Sequence, residues 1–233
     1  MITSSILSII LLLVIVAITC SVDVVGTKKV SLKPSYDFPL VENQNAVPKI
    51  TVSIYYSSLC TDCISLFKNQ IGPNLVKFHK YVNFYFIPFG NTEKKLFDGR
   101  WFFKCQNGLN ECMKNKWQVC SIQVLLSKRP LLASYLVCYM NSTNEIHSGY
   151  QCTRKLGLYN YYSKIKKCFM NREFSDSLMI RYSYLTQRVI PKLTPIPSIT
   201  FNGIYNETEQ YDAKNNLGIV ICKHLHPKPV EMC

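Results

Sequence analysis

The pair Cys60 and Cys63, a Cys-x-x-Cys, is the part of this sequence with the most direct chemical meaning. It follows a β-branched, aromatic segment and precedes apolar residues at helical spacing, so Cys60 falls at a strand-to-helix junction. The unpaired amides and positive dipole end of a helix stabilise a thiolate placed there. We expect Cys60 to attack a disulfide as the nucleophile and Cys63, one helical turn along, to resolve the mixed disulfide.

Two other roles for a Cys-x-x-Cys are a zinc half-site and an ordinary disulfide. Zinc needs four ligands, and the sequence offers no second Cys-x-x-Cys and no His-rich partner. The four histidines lack metal-ligand spacing, and we interpret His224 and His226 as part of a solvated tail. The flanking strand and helix favour redox chemistry, with no metal and no bound cofactor.

The elements around the pair predict one strand-helix-strand unit. Lys49 to Tyr56 has the composition of a buried strand, and the helical spacing after Cys63 stops at Gly72-Pro73. Val82 to Pro88 predicts a second strand about 30 residues after the first, a separation typical of a parallel crossover.

The rest of the chain predicts an insertion followed by a return to β structure. The insertion, at about residues 92–190, is rich in cysteine, and Tyr159 to Phe169 and Asp176 to Val189 have helical patterns within it. Ser198 to Gly203 then predicts a strand, and Asn216 to Leu225 a closing helix.

The amino-terminal segment predicts entry into the secretory pathway. The apolar run from Ile6 to Ile18 has the length of a signal-peptide core and is shorter than the roughly 20 residues of a membrane span. We interpret residues 1–20 as a signal peptide and 21–48 as an extended leader, with no transmembrane span in the mature chain. No Lys or Arg precedes the run, which leaves an uncleaved anchor as the alternative.

Cysteines and charge are consistent with that route. Eleven cysteines are present, and ten remain if Cys20 leaves with the signal peptide, an even number typical of disulfide-bonded secreted proteins. Sequons at Asn141 and Asn206 predict glycosylation. The formal charge of +13 favours anionic neighbours or a solvated basic surface, and no motif indicates specific nucleic-acid binding.

The run from Cys105 to Cys120 is the most specific stretch, reading Cys-Gln-Asn-Gly-Leu-Asn-Glu-Cys-Met-Lys-Asn-Lys-Trp-Gln-Val-Cys. It closely resembles the signature of the gamma-interferon-inducible lysosomal thiol reductase family, Cys-Gln-His-Gly-x-x-Glu-Cys-x-x-Asn-x-x-x-x-Cys. Further matches lie in order along about residues 50–225, at Tyr55-Tyr56, Leu59, Asp62, Pro88, Gly90-Asn91, Cys138, Cys152, Cys168, Pro197, Asn202-Gly203 and Cys222.

The resemblance implies an α/β, thioredoxin-like fold with a cysteine-rich, mostly helical insertion. The domain would span 49–225, with a tail at 226–233. In such folds a cis proline packs beside the Cys-x-x-Cys, so Ile196 and Pro197 are the candidate substrate-binding residues. Structural disulfides are expected among Cys105, Cys112, Cys120, Cys138, Cys152, Cys168, Cys222 and Cys233, in 105 possible connectivities.

The chain departs from the family at three positions. Asn107 stands where His is usual, Thr61 where Pro is frequent, and Ser198 where a bulky aromatic often follows the proline. These differences bear on substrate handling and pH tuning more than on the reaction itself. Asp62, between the cysteines, opposes thiolate formation when it is ionised, while the helix terminus favours it, so the net effect is open.

The leading functional hypothesis is a lysosomal, endosomal or secreted reductase of protein disulfides, with cysteine or glutathione as the electron donor. The alternative is a secreted, non-catalytic binding protein on the same fold, which uses its basic surface to bind anionic microbial or cell-surface partners. A disulfide-forming or isomerising enzyme would share the same residues and differ only in redox poise.

Overall fold

A three-stranded mixed sheet leads into the helix that bears the predicted redox pair. The computed structural model describes residues 49–142, 147–193 and 195–233, so the predicted signal peptide and leader lie outside the described residues. β1 (Ile50–Tyr56) is central, parallel to β2 (Val82–Pro88) and antiparallel to β5 (Ser198–Phe201). The predicted parallel pairing of the first two strands is confirmed.

A long helical segment joins the first two strands. It comprises α1 (Thr61–Leu66), a π-helical turn (Phe67–Ile71) and α2 (Gly72–Phe78). The expectation that the helical pattern stops at Gly72-Pro73 is wrong. Pro73 lies in the first turn of α2, where an amide donor is not needed, and the wider π-helical turn before it keeps the chain helical.

The insertion begins with a β-hairpin and continues as helices. β3 (Glu93–Phe97) pairs with β4 (Arg100–Lys104), and the turn between them has positive φ at Asp98 and Gly99. The hairpin was not predicted. Five helices follow, α3 (Leu109–Leu125), α4 (Arg129–Met140) after a 3₁₀ turn at Leu126–Lys128, α5 (Ser148–Lys155), α6 (Tyr159–Met170) and α7 (Arg172–Gln187).

Helix α3 joins the insertion to the sheet. Val119 and Cys120 are fully buried, and the Tyr56 hydroxyl of β1 donates a hydrogen bond to the Gln118 side chain. Burial raises the pKa of Tyr56 well above its ordinary value, so this hydroxyl remains a donor. Four disulfides add to the packing, pairing Cys105 with Cys112, Cys120 with Cys168, Cys138 with Cys152, and Cys222 with Cys233.

Two short helices, α8 (Gln210–Asn215) and α9 (Leu217–His224), close the domain, and the predicted closing helix is confirmed. Gln70 of the π-helical turn holds their junction, donating to the Asn215 carbonyl at 2.7 Å and accepting from the Leu217 amide at 3.0 Å. None of the helices in the described ranges has the length and apolarity to cross a membrane.

The expectation that His224 belongs to a solvated tail is wrong. Its ring stacks on Phe201 with centroids 4.3 Å apart, and its Nε2 lies 3.0 Å from the Glu209 carboxylate. The last turn of α9 packs against the end of β5, which brings the imidazole onto the strand. His226, two residues further, is exposed.

Candidate active site

Cys60 and Cys63, the predicted redox pair, lie at the amino end of α1 and are bonded to each other, with Cα atoms 5.1 Å apart. Cys60 is the N-cap residue, and its Sγ accepts a hydrogen bond from the Cys63 amide at 3.2 Å. Cys60 is partly exposed, whereas Cys63 is fully buried. An incoming sulfur can therefore reach Cys60 and not Cys63.

A pair of serines between β1 and α1 sets the position of Cys60, and α3 holds both. The Asn115 side chain accepts from the Ser58 amide at 2.8 Å and donates to the Ser57 hydroxyl at 3.0 Å. The Ser58 hydroxyl donates to the Glu111 carbonyl at 3.2 Å. All four residues are buried. We call Ser57 and Ser58 the redox loop, and the bonds from α3 the α3 clamp.

The segment before β5 forms the other side of the site. The Ile196–Pro197 bond is cis, as expected, and the Ile196 carbonyl oxygen lies 3.9 Å from the Cys60 Sγ. The Ser198 hydroxyl is buried and donates to the Pro195 carbonyl at 2.6 Å. Ser198 thus holds the turn from within, in place of the bulky aromatic usual in the family.

Gly90 fits between these two sides. A Cβ added there would lie 2.8 Å from the Cβ of Ser57 and 3.0 Å from Cδ1 of Ile196. Its φ of 55° is also one that side-chain-bearing residues rarely adopt. Glycine at this position therefore lets the redox loop and the proline segment approach each other.

An open groove of about 320 Å³ lies over Cys60. Three segments form its walls: one around Cys60, one before β5, and one made of the two ends of the hairpin. The residues that line it are Leu59, Cys60, Thr61, Asp62, Asn91, Gln106, Asn107, Pro195 and Ile196. The Asn91 amide donates to the Gln106 side chain at 3.3 Å, which joins the two hairpin ends across the groove wall. The partly exposed Cys60 opens onto this groove.

Asn107, where the family has His, is held by a buried carboxylate. Its backbone and side-chain amides donate to the two oxygens of Glu111 at 3.3 and 2.6 Å. Glu111 is 1% exposed. Asn107 therefore donates to Glu111 and is fixed in this part of the groove wall.

A partly buried cation on α8 interacts electrostatically with the first turn of α1. Burial lowers the pKa of Lys214 on α8, and the negative charge of Asp62 acts in the opposite direction. Asp62 is exposed in the first turn of α1. No cluster of His, Cys, Asp or Glu that would suit a metal ion occurs in the described residues.

The other predicted site residues are distributed over the fold. Cys105 and Cys112 join the base of β4 to α3 beside the groove wall, and the Thr92 hydroxyl lies 3.4 Å from the Cys105 sulfur. Asn141 at the end of α4 and Asn206 before α8 are both exposed, and glycosylation there stays a prediction.

Sequence reasoning did not identify the α3 clamp or the hairpin ends of the groove. The clamp had a signal, because Glu111 and Asn115 are four residues apart and so share a face of a helix. Asn91 and Gln106 both lie in stretches that match the family, but nothing in the sequence indicates their contact, which only the unpredicted hairpin creates.

Comparison with known proteins identifies the chain's relatives. The sequence model of the gamma interferon inducible lysosomal thiol reductase family matches residues 51–156. A goldfish (Carassius auratus) protein named gamma-interferon-inducible lysosomal thiol reductase is 29% identical over 76% of this chain and 69% of its own length.

Two insect proteins extend the match. An Anopheles gambiae protein named for its likeness to the same reductase is 26% identical over 78% of this chain and 80% of its own length. GILT-like protein 1 of Drosophila melanogaster is 27% identical over 83% of this chain and 82% of its own. The chain is therefore similar over most of its length to gamma-interferon-inducible lysosomal thiol reductases and proteins named for their likeness to them.

Proposed function

We propose that this enzyme reduces disulfides in other proteins, with Cys60 as the nucleophile and Cys63 as the resolving residue. The observation that carries the proposal is the unequal exposure of the two sulfurs, one open to a groove and the other fully buried behind it. The amide of Cys63 points at the Cys60 sulfur, where it favours negative charge on a nucleophile.

The proposed cycle moves two electrons. The Cys60 thiolate attacks one sulfur of the substrate disulfide, forms a mixed disulfide and releases the other sulfur as a thiolate that takes up a proton. Cys63 then loses its proton and attacks the Cys60 sulfur, which releases the second substrate thiol and leaves the Cys60–Cys63 bond. Two molecules of a small thiol, such as cysteine or glutathione, reduce this bond and leave as their own disulfide. The structure holds the oxidised form of the pair.

We assign substrate contact to Ile196 and Pro197. The carbonyl of Ile196 faces the reactive sulfur, and both Pro195 and Ile196 line the groove. A substrate strand bonded to Cys60 would run along this backbone. The parallel β1–β2 unit, the redox helix and a cis proline before an antiparallel strand together support a thioredoxin-like fold.

The family relationship supports a destination in lysosomes or endosomes, or outside the cell, reached through the secretory pathway. The disulfides in the described residues fit an oxidising route of synthesis. In such a compartment the pair stays bonded until a thiol donor arrives.

The test is reduction of insulin with a small-thiol donor, at pH about 4.5 and about 7, by the mature protein and its variants. Cys60→Ser should abolish turnover. Pre-reduced Cys63→Ser protein, freed of donor thiol, should instead accumulate a mixed disulfide with substrate, visible as an added mass under non-reducing conditions. The double variant Cys222→Ser and Cys233→Ser, which removes a disulfide far from Cys60 in sequence, should keep turnover.

Turnover that survives Cys60→Ser would overturn the assignment. Absence of turnover by the folded wild-type protein at both pH values would favour the non-catalytic alternative. That alternative predicts binding to anionic surfaces that weakens with salt and is unaffected by Cys60→Ser.

A further inference from the structure

The outward face of the hairpin is an exposed sheet surface of alternating cations and aromatic rings. The register pairs Glu93 with Lys104, Lys95 with Phe102 and Phe97 with Arg100 on one face, and all six residues are exposed. Phe97 and Phe102 are 64% and 48% exposed, with ring centroids 6.3 Å apart in an edge-to-face arrangement. We call these six residues the hairpin face.

The opposite side of the hairpin is packed against the helices. Lys94 donates to the Ser183 hydroxyl of α7 and lies 4.1 Å from the ring centroid of Tyr184. Lys116 of α3 lies 5.8 Å from the ring centroid of Phe103. These contacts fix the hairpin on the domain, so the hairpin face is presented outward on a supported element.

The charge of the hairpin face is positive. Glu93 pairs with Lys104 at 3.5 Å, whereas neither Lys95 nor Arg100 has a carboxylate within 4.0 Å in the described part of the chain. Arg172 of α7, which pairs with Asp176 at 3.5 Å, has its guanidinium 5.7 Å from the ring centroid of Phe102. Exposed aromatic rings beside unpaired cations suit a partner that carries apolar and acidic side chains together.

The hairpin face is continuous with the groove. The hairpin starts just after Asn91 and ends just before Gln106, and these two groove residues are hydrogen bonded to each other. Each strand has five residues, so the face extends roughly 17 Å from the groove at about 3.4 Å per residue. A chain whose disulfide lies at Cys60 can reach this face with a segment of about five extended residues.

We propose that the hairpin face is an exosite that binds the substrate polypeptide beside its disulfide. It takes an extended segment in which aromatic or aliphatic residues alternate with Asp or Glu. This inference rests on the proposed function, since it names the class of substrate that the groove receives. Protein substrates with such a segment are reduced in preference to small disulfides.

The test compares two disulfide peptides with the same cysteine-containing core. One is the core alone, and the other carries an added Phe- and Glu-containing segment on one side. The double variants Phe97→Ser with Phe102→Ser, and Lys95→Glu with Arg100→Glu, should lower kcat/KM for the extended peptide about tenfold, and change that for the core by less than about twofold. A control pair, Val76→Ser with Ile219→Ser, removes exposed apolar side chains elsewhere and should change neither.

A charge-swapped peptide with Lys in place of Glu should be the better substrate of the Lys95→Glu, Arg100→Glu variant. Equal loss on both peptides, or no preference of the wild type for the extended peptide, would refute the exosite. The protein could instead sediment with phosphatidylserine vesicles, depend on the hairpin for that binding, and reduce both peptides equally well. That result would refute the exosite in favour of a membrane-binding surface.

Failure of the redox proposal can be distinguished from failure of the exosite proposal. Binding of a fluorescent extended segment without cysteines to the Cys60→Ser protein is measured by anisotropy, and it requires no chemistry. Binding that is lost in the Phe97→Ser, Phe102→Ser variant supports the exosite even if turnover fails, and absence of binding contradicts it.

Discussion

Replacement of Asn115 by alanine tests the idea that α3 positions the redox loop. Asn115 is fully buried and makes two hydrogen bonds to that loop, at 2.8 and 3.0 Å. Without it, the buried amide of Ser58 loses its acceptor, at a cost of about 1–3 kcal/mol. The Ser57 hydroxyl loses one ordinary bond, about 1 kcal/mol. The higher helix propensity of alanine offsets up to about 0.5 kcal/mol of this loss in stability.

The expected loss is therefore about 1.5–3.5 kcal/mol in the free energy of unfolding, which a domain of this size survives. Because the redox loop leads directly into Cys60, displacement of the loop also moves the sulfur relative to Ile196. A shift of about 1 Å in a reacting group lowers rates about ten- to a hundredfold, and we expect kcat/KM for insulin reduction to fall within that range.

The measurements are urea unfolding followed by circular dichroism, and insulin reduction at a temperature where the variant is fully folded. The matched control is Asn74→Ala, which removes a buried asparagine whose side chain donates within the same helical segment, to the Gln70 carbonyl at 2.8 Å. The control should lose stability and keep kcat/KM. The reasoning is refuted if Asn115→Ala loses less than about 1 kcal/mol, or if it loses stability but keeps kcat/KM within about twofold.

Three further predictions follow from single features. Gly90→Ala should lower both stability and insulin reduction, because a Cβ there would clash with its neighbours. Its control is Gly99→Ala, also at positive φ but with open space around it, which should cost only about 1 kcal/mol of backbone strain and leave turnover unchanged. Equal effects of the two substitutions would contradict the packing argument. Changing both Cys120 and Cys168, which are 48 residues apart, to alanine should lower the free energy of unfolding by about 4 kcal/mol from loop entropy, and an unchanged urea midpoint would refute this. Burial raises the pKa of Tyr135 to about 12, so the folded state holds this proton more tightly than the unfolded state, and stability should fall as pH rises from about 10 to 12. Replacing Tyr135 by phenylalanine should flatten that part of the stability profile, and an unaltered slope would show that other groups cause it.

The strands and the redox pair were accessible from the sequence because their signals are local. β-branched residues mark β1 and β2, and the spacing of two cysteines marks the start of α1. The Gly72-Pro73 pair misled the prediction, since a proline in the first turn of a helix reads the same in sequence as one that ends a helix. Only the π-helical turn before it separates the two cases.

The hairpin and the disulfide pairing depend on contacts distant in sequence. β3 has the letters Glu-Lys-Lys-Leu-Phe, with no alternation strong enough to predict a strand. Its stability comes from Lys94 and Trp101 packing on its inner side, which periodicity does not reveal. Likewise His224 resembled a tail residue until α9 brought it onto Phe201.

The placement of the covalent cross-links has a consequence for an enzyme that works among thiols. In the described part of the chain no disulfide joins the sheet to the insertion, because three bridges lie wholly within the insertion and the pair Cys222–Cys233 lies after β5. The two parts hold together by packing and by bonds such as that between Tyr56 and Gln118. Among the described residues, the junction between the sheet and the insertion therefore contains no bond that a reductant can break. A donor thiol that opens a structural bridge loosens the junction of β4 with α3, a helix pair or the end of the chain, and it breaks no covalent link between the insertion and the strands that position Cys60. Separation of the sheet from the insertion thus responds to heat or denaturant more than to the reductant that drives the cycle.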